Sequence, residues 1–148
     1  MCDSVHIASR SASKRGAATG GRTDNEMKYT RVYADADGES HFEDVELELT
    51  PTDFAPPAPP LNLSPLTPAS RFGFVSASPG WYGDWHPTPC RQIFFYLSGE
   101  TEGEVSDGEV RRFGPGSVTL LEDTTGKGHR SRVVGDADVL LAVVQLED

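Results

Sequence analysis

Hydrophobic and polar residues alternate along the middle of the chain with the period of a β-strand. Val45, Leu47 and Leu49 interleave with glutamates, which places the apolar side chains on one face of an extended segment. After residue 70, short apolar segments recur at close intervals, and none of them has the apolar spacing of a helix. The predicted strands of this part of the chain are residues 72–76, 92–97, 102–105, 109–113, 118–121, 129–134 and 139–146.

Turn-forming residues separate these segments and predict how they connect. Asp107-Gly108 predicts a type I′ hairpin, in which both central residues have positive φ, and further corners are predicted at Gly114 and Gly135. Residues 51–68 contain seven prolines, which remove backbone donors and predict an extended surface connection. Many short strands without a helix predict an all-β fold, a sandwich or a closed barrel such as the jelly roll.

The segment 92–97 is apolar at both strand parities, whereas a strand with one wet face alternates. Both of its faces are therefore predicted to be covered. The barrel interior covers one face, and a second sheet, the proline-rich segment or a partner subunit covers the other. On this basis we predict a homodimer.

The length of 148 residues suits one domain with a single core. Residues 1–26 are rich in Ser, Ala, Gly and Arg and almost lack aromatic residues, so they are predicted to form a disordered tail, with a transit peptide as the alternative. Ordered sequence is predicted from Met27 to the end, as one barrel domain over residues 27–148.

The charge balance limits the partners that the sequence predicts. Lys and Arg number 13 against 23 Asp and Glu, a net charge of -10, which repels nucleic acid and anionic membrane surfaces. The two cysteines form no C-x-x-C pair, so no disulfide framework or thiolate metal site is predicted. No apolar segment is long enough for a membrane span, and a cytoplasmic protein is the expectation.

Two spacings along the second half of the chain resemble the paired motifs of the cupin superfamily, over roughly residues 72–146. In the first, Gly80, His86 and Gly99 stand at the positions of the motif's first glycine, first histidine and last glycine. Thr88 stands in place of the motif's second histidine, and Gln92 in place of its glutamate.

The second motif is similar at its glycines and its histidine. Gly116, Gly126 and His129 match it, while Thr124 replaces a proline and Val133 replaces an asparagine. The resemblance implies a single-domain cupin-type jelly-roll β-barrel with His86 and His129 in its pocket.

Members of the superfamily that bind metal hold one divalent ion with three histidines and a glutamate. The resemblance thus implies one divalent ion, Fe, Mn, Ni or Zn, but two of the four ligand positions here carry neutral side chains. Nearby carboxylates are candidate replacements, so the predicted ligands are His86, His129, Gln92, Asp84 and Asp123. The alternative is a pocket that uses the two histidines without a metal.

Strand parity predicts that His86, Gln92, Phe94 and Tyr96 share one face, opposite a face that carries His129 and Ser131. Two imidazoles in an apolar pocket suit proton transfer to a small-molecule ligand. The first hypothesis is a cupin enzyme of lyase, isomerase or oxygenase type with His86 and His129 as catalytic residues. The second is a non-catalytic module that binds or senses a small molecule. The remaining predicted pocket residues are Trp85 and Thr88.

Overall fold

The computed structural model describes residues 26–147. It contains twelve strands: β1 Glu26–Ala34, β2 Ser40–Glu48, β3 Thr50–Thr52, β4 Leu61–Leu63, β5 Ala69–Ala77, β6 Tyr82–His86, β7 Gln92–Ser98, β8 Glu100–Val105, β9 Val110–Phe113, β10 Val118–Leu121, β11 His129–Val134 and β12 Val139–Leu146. The described residues include no helix, and so none long and apolar enough to span a membrane. The all-β prediction is confirmed.

Two sheets make up the body of the domain. One has six strands in the order β2-β1-β10-β7-β12-β5, and the other has four in the order β6-β11-β8-β9. Neighbouring strands are antiparallel except for β1 and β10, which pair in parallel. No backbone pairing joins the two sheets within residues 26–147, so the jelly roll is a sandwich of facing sheets rather than a continuously hydrogen-bonded barrel.

The core lies between the sheets, because its buried side chains come from both of them. Tyr96 and Leu141 of the six-stranded sheet pack with Phe113 and Val133 of the four-stranded sheet. A second cluster joins Val32 and Leu121 to Val105, and partly buried Phe42 and Phe94 contact both clusters. Burial of these apolar groups fixes the distance between the two sheets. It therefore also fixes the position of the four-stranded sheet, which carries the candidate site.

The hairpin predicted at Asp107-Gly108 is present between β8 and β9, but its turn is not type I′. Among the described residues, positive φ occurs only at glycines; Gly108 has a φ of 97°. Val105 accepts a hydrogen bond from Gly108 and donates one to Glu109, which is the pattern of a turn followed by a left-handed glycine. A three-residue loop therefore replaces the predicted two-residue loop.

The first sequence motif is split between the two sheets. β6 ends at His86, residues 87–91 form a loop, and β7 begins at Gln92 in the other sheet. The prediction that one strand carries both His86 and Gln92 is wrong, because a parity argument holds only within an unbroken strand. β1 was also missed, since its apolar residues are interrupted by Lys28 and Arg31.

The proline-rich segment contains the short hairpin of β3 and β4, and most of its residues are exposed. The predicted tail lies outside the described residues, apart from Glu26, the first residue of β1.

Candidate functional site

Two histidines lie side by side on neighbouring strands of the four-stranded sheet, and not on opposite faces as strand parity predicted. His86, at the end of β6, is the register partner of His129, at the start of β11. Their ring centroids lie 4.8 Å apart, with an angle of 55° between the ring planes. The structure thus brings together the two residues that the motifs predict as catalytic.

Gly128 makes this approach possible. Its φ is 70°, and a Cβ at this position would lie 2.0 Å from the carbonyl oxygen of His86. Glycine is the residue that tolerates both the left-handed backbone and the contact. β11 therefore begins directly against the His86-Pro87 backbone, which sets the two imidazoles side by side.

A buried carboxylate orients His129. Its Nδ1 lies 2.6 Å from Oδ2 of Asp123, which is fully buried, while the His129 side chain is 14% exposed. The short distance indicates a charge-assisted bond in which Nδ1–H donates to the carboxylate. That assignment leaves Nε2 of neutral His129 as an acceptor.

His86 has the same tautomer for a different reason. Its Nδ1 lies 2.6 Å from the backbone carbonyl of Asp84, and a carbonyl can only accept, so Nδ1 carries the hydrogen. Nε2 of neutral His86 is again an acceptor. Within the part of the chain that the structure describes, neither Nε2 atom has a protein hydrogen-bond partner.

The second carboxylate oxygen of Asp123 has no partner within residues 26–147. Its Oδ1 is buried and forms no hydrogen bond to any described residue. Its backbone carbonyl accepts a hydrogen bond from the amide of Thr88 at 3.0 Å, which ties the loop before β11 to the loop after β6. The carboxylate is therefore held in place by the backbone as well as by His129.

Thr88 and Gln92 are buried, but they bond to each other. The Gln92 amide donates to Oγ1 of Thr88 at 3.1 Å, and Sγ of Cys90 lies 3.9 Å from the Gln92 carbonyl oxygen. These contacts brace the loop at residues 87–91. The structure places both residues in that brace rather than with their polar groups free beside the histidines.

The predicted aromatic pocket residues lie in two different places. Tyr96 is in the core, stacked on Phe113 at a centroid distance of 5.7 Å, and its burial raises the pKa of its hydroxyl. Phe94 contacts both core clusters. Trp85 lies on the outer face of β6, where the Arg130 guanidinium is 5.0 Å from the ring centroid. The structure does not bring Trp85 together with the histidines.

The two remaining predicted residues lie on β6 and β11. The exposed carboxylate of Asp84 accepts hydrogen bonds from the Tyr82 hydroxyl at 3.3 Å and from the Trp85 amide at 2.8 Å. Ser131 pairs with Gly83 and has the strand parity of His129. Ser131 is thus the predicted pocket residue that stays next to the histidine pair.

The donor set differs from that of the metal site that the resemblance implies. No group of three or more His, Cys, Asp or Glu side chains in residues 26–147 is arranged to hold a metal ion. The site offers two imidazole nitrogens. Asp84, Gln92 and Thr88 are engaged elsewhere, and Asp123 lies at Nδ1 of His129, on the opposite side of the ring from Nε2. These residues do not fit a centre held by three or more protein ligands.

Neither a protein-family profile nor a curated protein sequence matches the chain. Among solved structures, it is similar to the DMSP lyase DddQ from Ruegeria pomeroyi, with 29% identity and a TM-score of 0.43. That match covers 51% of this chain and 36% of DddQ, so the chain spans about a third of that enzyme's length.

Two further matches extend over more of the chain. A cupin 2 conserved barrel domain protein from Salinispora arenicola matches with 20% identity and a TM-score of 0.43, covering 68% of this chain and 76% of that one. A predicted oxalate decarboxylase from Thermotoga maritima matches with 19% identity and a TM-score of 0.43, covering 81% and 94%. Cupin proteins are among the solved structures that this chain resembles.

Proposed function

We propose that this chain is a cupin-type enzyme that transfers protons on a small molecule, with lyase or isomerase chemistry. One observation carries the proposal. Buried Asp123 holds Nδ1 of His129 at 2.6 Å, which leaves Nε2 as an acceptor beside a second imidazole, that of His86. A histidine oriented by a carboxylate is an arrangement that serves as a general base.

In this mechanism, Nε2 of His129 removes a proton from the substrate. The positive charge that forms on the ring lies next to the Asp123 carboxylate, in surroundings that screen the attraction weakly. Asp123 therefore stabilises the protonated imidazole of His129 and keeps that ring from rotating. It does not need to accept the proton itself.

His86 completes the proton path beside His129. Its side chain is exposed, so it can exchange protons with water before a substrate binds. In its protonated form, Nε2 donates to a leaving group, as a lyase requires, or returns a proton to a neighbouring atom, as an isomerase requires. Neither reaction changes the oxidation state of the enzyme. Oxygenase chemistry would involve a redox centre, and the described residues offer two imidazole nitrogens as ligands for one.

A non-catalytic binding or sensing module is the second candidate. It is supported by the bond between Thr88 and Gln92, which occupies two of the four ligand positions of the paired motifs. Such a module would bind its ligand at the histidine pair and release it unchanged.

The test begins with a thermal-shift screen of small carboxylates, thioethers and sugars, because a ligand that binds only the folded state raises the melting temperature. Compounds that bind are then followed by proton NMR for conversion. His129→Ala is expected to lower turnover at least about 100-fold, the usual contribution of a general base. Asp123→Asn is expected to lower turnover by about 10–100-fold, because it loosens the imidazole of His129 but leaves that imidazole in place.

Asp136→Asn is the matched control, because Asp136 is an exposed turn residue and the change removes the same charge. Binding without conversion in the unmodified protein would favour the sensing module. Conversion that survives His129→Ala at the original rate would refute the proposed mechanism.

A further inference from the structure

A third histidine, His41 at the start of β2, is held by two carboxylates. Its Nε2 lies 2.7 Å from Oδ2 of Asp35, and its Nδ1 lies 2.7 Å from Oδ2 of Asp107. Asp35 belongs to the turn between β1 and β2, and Asp107 to the turn between β8 and β9. One imidazole therefore joins turns that belong to different sheets. We call Asp35, His41 and Asp107 the turn cluster.

Both bonds exist together only while His41 is protonated, because a neutral imidazole has one N–H and a carboxylate can only accept. The bonds to Asp35 and Asp107 raise the pKa of His41. In return, the His41 bond lowers the pKa of Asp35, and the pKa of Asp107 falls through the backbone amide of Glu109 and through His41. The bridge is therefore intact in mildly acid solution and loses one bond when His41 gives up its proton.

The turn cluster is connected to the loop before His129. Ser40, next to His41, is fully buried, and its hydroxyl donates to the carbonyl of Gly128 at 2.6 Å. The same hydroxyl accepts from the amide of Ser106, next to Asp107, at 2.8 Å. One side chain thus transmits the position of both turns to the residue that precedes His129.

Two backbone contacts strengthen this connection. The amide of Lys127 donates to the carbonyl of Gly38 at 2.9 Å. Gly126 lies so close to Gly38 that a Cβ on Gly126 would be 2.5 Å from the Gly38 carbonyl oxygen. The loop at residues 126–128 therefore rests on the β1–β2 turn at Gly126 and Lys127, and on Ser40 of β2 at Gly128.

We propose that His41 is a positioning residue for His129, and that its protonation fixes the loop from which β11 starts. When His41 is protonated, the two turns are joined and Ser40 holds Gly128. When it is neutral, one turn is released, and the 126–128 loop loses part of its support. The consequence for turnover rests on the proposed function, whereas the change in loop order does not.

The other titratable groups around His41 are those of an ion pair and of a tyrosine. Glu39 pairs with Lys127 and accepts from the Ser106 hydroxyl, and these contacts lower the pKa of Glu39, so it stays charged above mildly acid pH. The ring of Tyr33 lies 5.4 Å from that of His41. Because the chain has four histidines, variants of the turn cluster are needed to separate the effect of His41 from that of the others.

Hydrogen exchange measured by mass spectrometry on peptides that cover residues 124–130 tests the proposal. In the unmodified protein, protection of this loop is expected to fall about fivefold between about pH 6 and pH 8.5, after correction for intrinsic exchange. Asp107→Asn keeps the Oδ1 acceptor of the turn but removes the charge facing His41. It is expected to show the lower protection already at the acid pH, with little further change.

Asp37→Asn is the matched control, since it removes a charge from the β1–β2 turn, the other turn that His41 joins, while Asp37 bonds through its backbone amide. It is expected to behave as the unmodified protein does. If loop protection in Asp107→Asn equals that of the unmodified protein at both pH values, the proposal is overturned. Loop protection that responds as expected, together with turnover that survives His129→Ala, would sink the proposed function while leaving the role of His41 intact.

Discussion

His41 and His129 each lie within 2.7 Å of a carboxylate oxygen, but the two surroundings leave different nitrogens available. At His41, one carboxylate meets each nitrogen, so neither nitrogen is open to a ligand. At His129, one carboxylate meets Nδ1, and Nε2 is left beside His86. The same residue type therefore serves as a bridge in one region and as a base in the other.

The number of partners, rather than their distance, accounts for this difference. Two carboxylates favour the charged imidazolium and use both of its N–H groups. A single buried carboxylate fixes the tautomer and leaves an acceptor for chemistry.

The largest effect is expected at Gly128. Gly128→Ala places a Cβ against the His86 carbonyl and forces a left-handed backbone on alanine, so it should lower the free energy of unfolding by about 3 kcal/mol or more. The measurement is urea unfolding followed by circular dichroism.

Gly135→Ala separates the two causes, because Gly135 has a φ of 82° and open space around its Cβ position. It should cost about 1–2 kcal/mol, the backbone contribution alone. Equal costs for the two variants would show that β11 does not press against His86.

A smaller effect is expected in chemical modification with diethyl pyrocarbonate, which acylates an accessible, unprotonated imidazole nitrogen. At about pH 6.5, His41 should react about tenfold more slowly than His86 and His129, since both of its nitrogens are engaged and its raised pKa reduces the neutral fraction. Peptide mass spectrometry gives the rate at each histidine. Asp107→Asn should bring the rate at His41 toward that of the others, and a fast reaction at His41 in the unmodified protein would contradict the bridge.

The smallest effect is expected in the pH dependence of stability. Because the folded-state pKa of His41 lies above the ordinary value of 6.5, its contribution is complete below that value and is lost as pH rises through the folded pKa. The lowered pKa values of Asp35 and Asp107 give the opposite limit, since their contributions are lost in acid. Between about pH 6 and pH 9, the urea midpoint should fall by about 0.3 M, which is modest because the cluster is partly solvated. His41→Gln should remove that part of the pH dependence.

The sequence was sufficient to predict eight of the twelve described strands and the histidine pair, for a physical reason. Apolar side chains at strand spacing report directly on the core, and glycine at positions 126 and 128 signals close backbone approach before His129. Asp123 was also found, but as a candidate metal ligand; its bond to His129 depends on how the loop folds back.

The roles of Ser40 and His41 were not predicted, because their partners lie 66 or more positions away along the chain, apart from Asp35. The parity that joined Gln92 to His86 failed for a related reason, since the loop between them crosses from one sheet to the other. Contacts between elements are decided by the packing of the sheets, which local patterning does not record.

Both faces of β7 were predicted to be covered, and its inner face is. The outer face of β7 carries Ile93 and Phe95, and on the same side of the sheet Phe72 and Phe74 of edge strand β5 are 80% and 67% exposed. The homodimer therefore stays a prediction, and sedimentation at micromolar concentration tests it.

The two tryptophans of the chain lie at the ends of the short segment that includes most of β6. The Trp81 ring lies over Gly83, and Trp85 lies beneath the Arg130 guanidinium. Because the sequence contains no other indole, all the tryptophan fluorescence of the protein originates within a few residues of His86. The protein thus carries its own optical reporter on the strand that ends at His86, and ligand titrations can be followed by emission without attaching a dye.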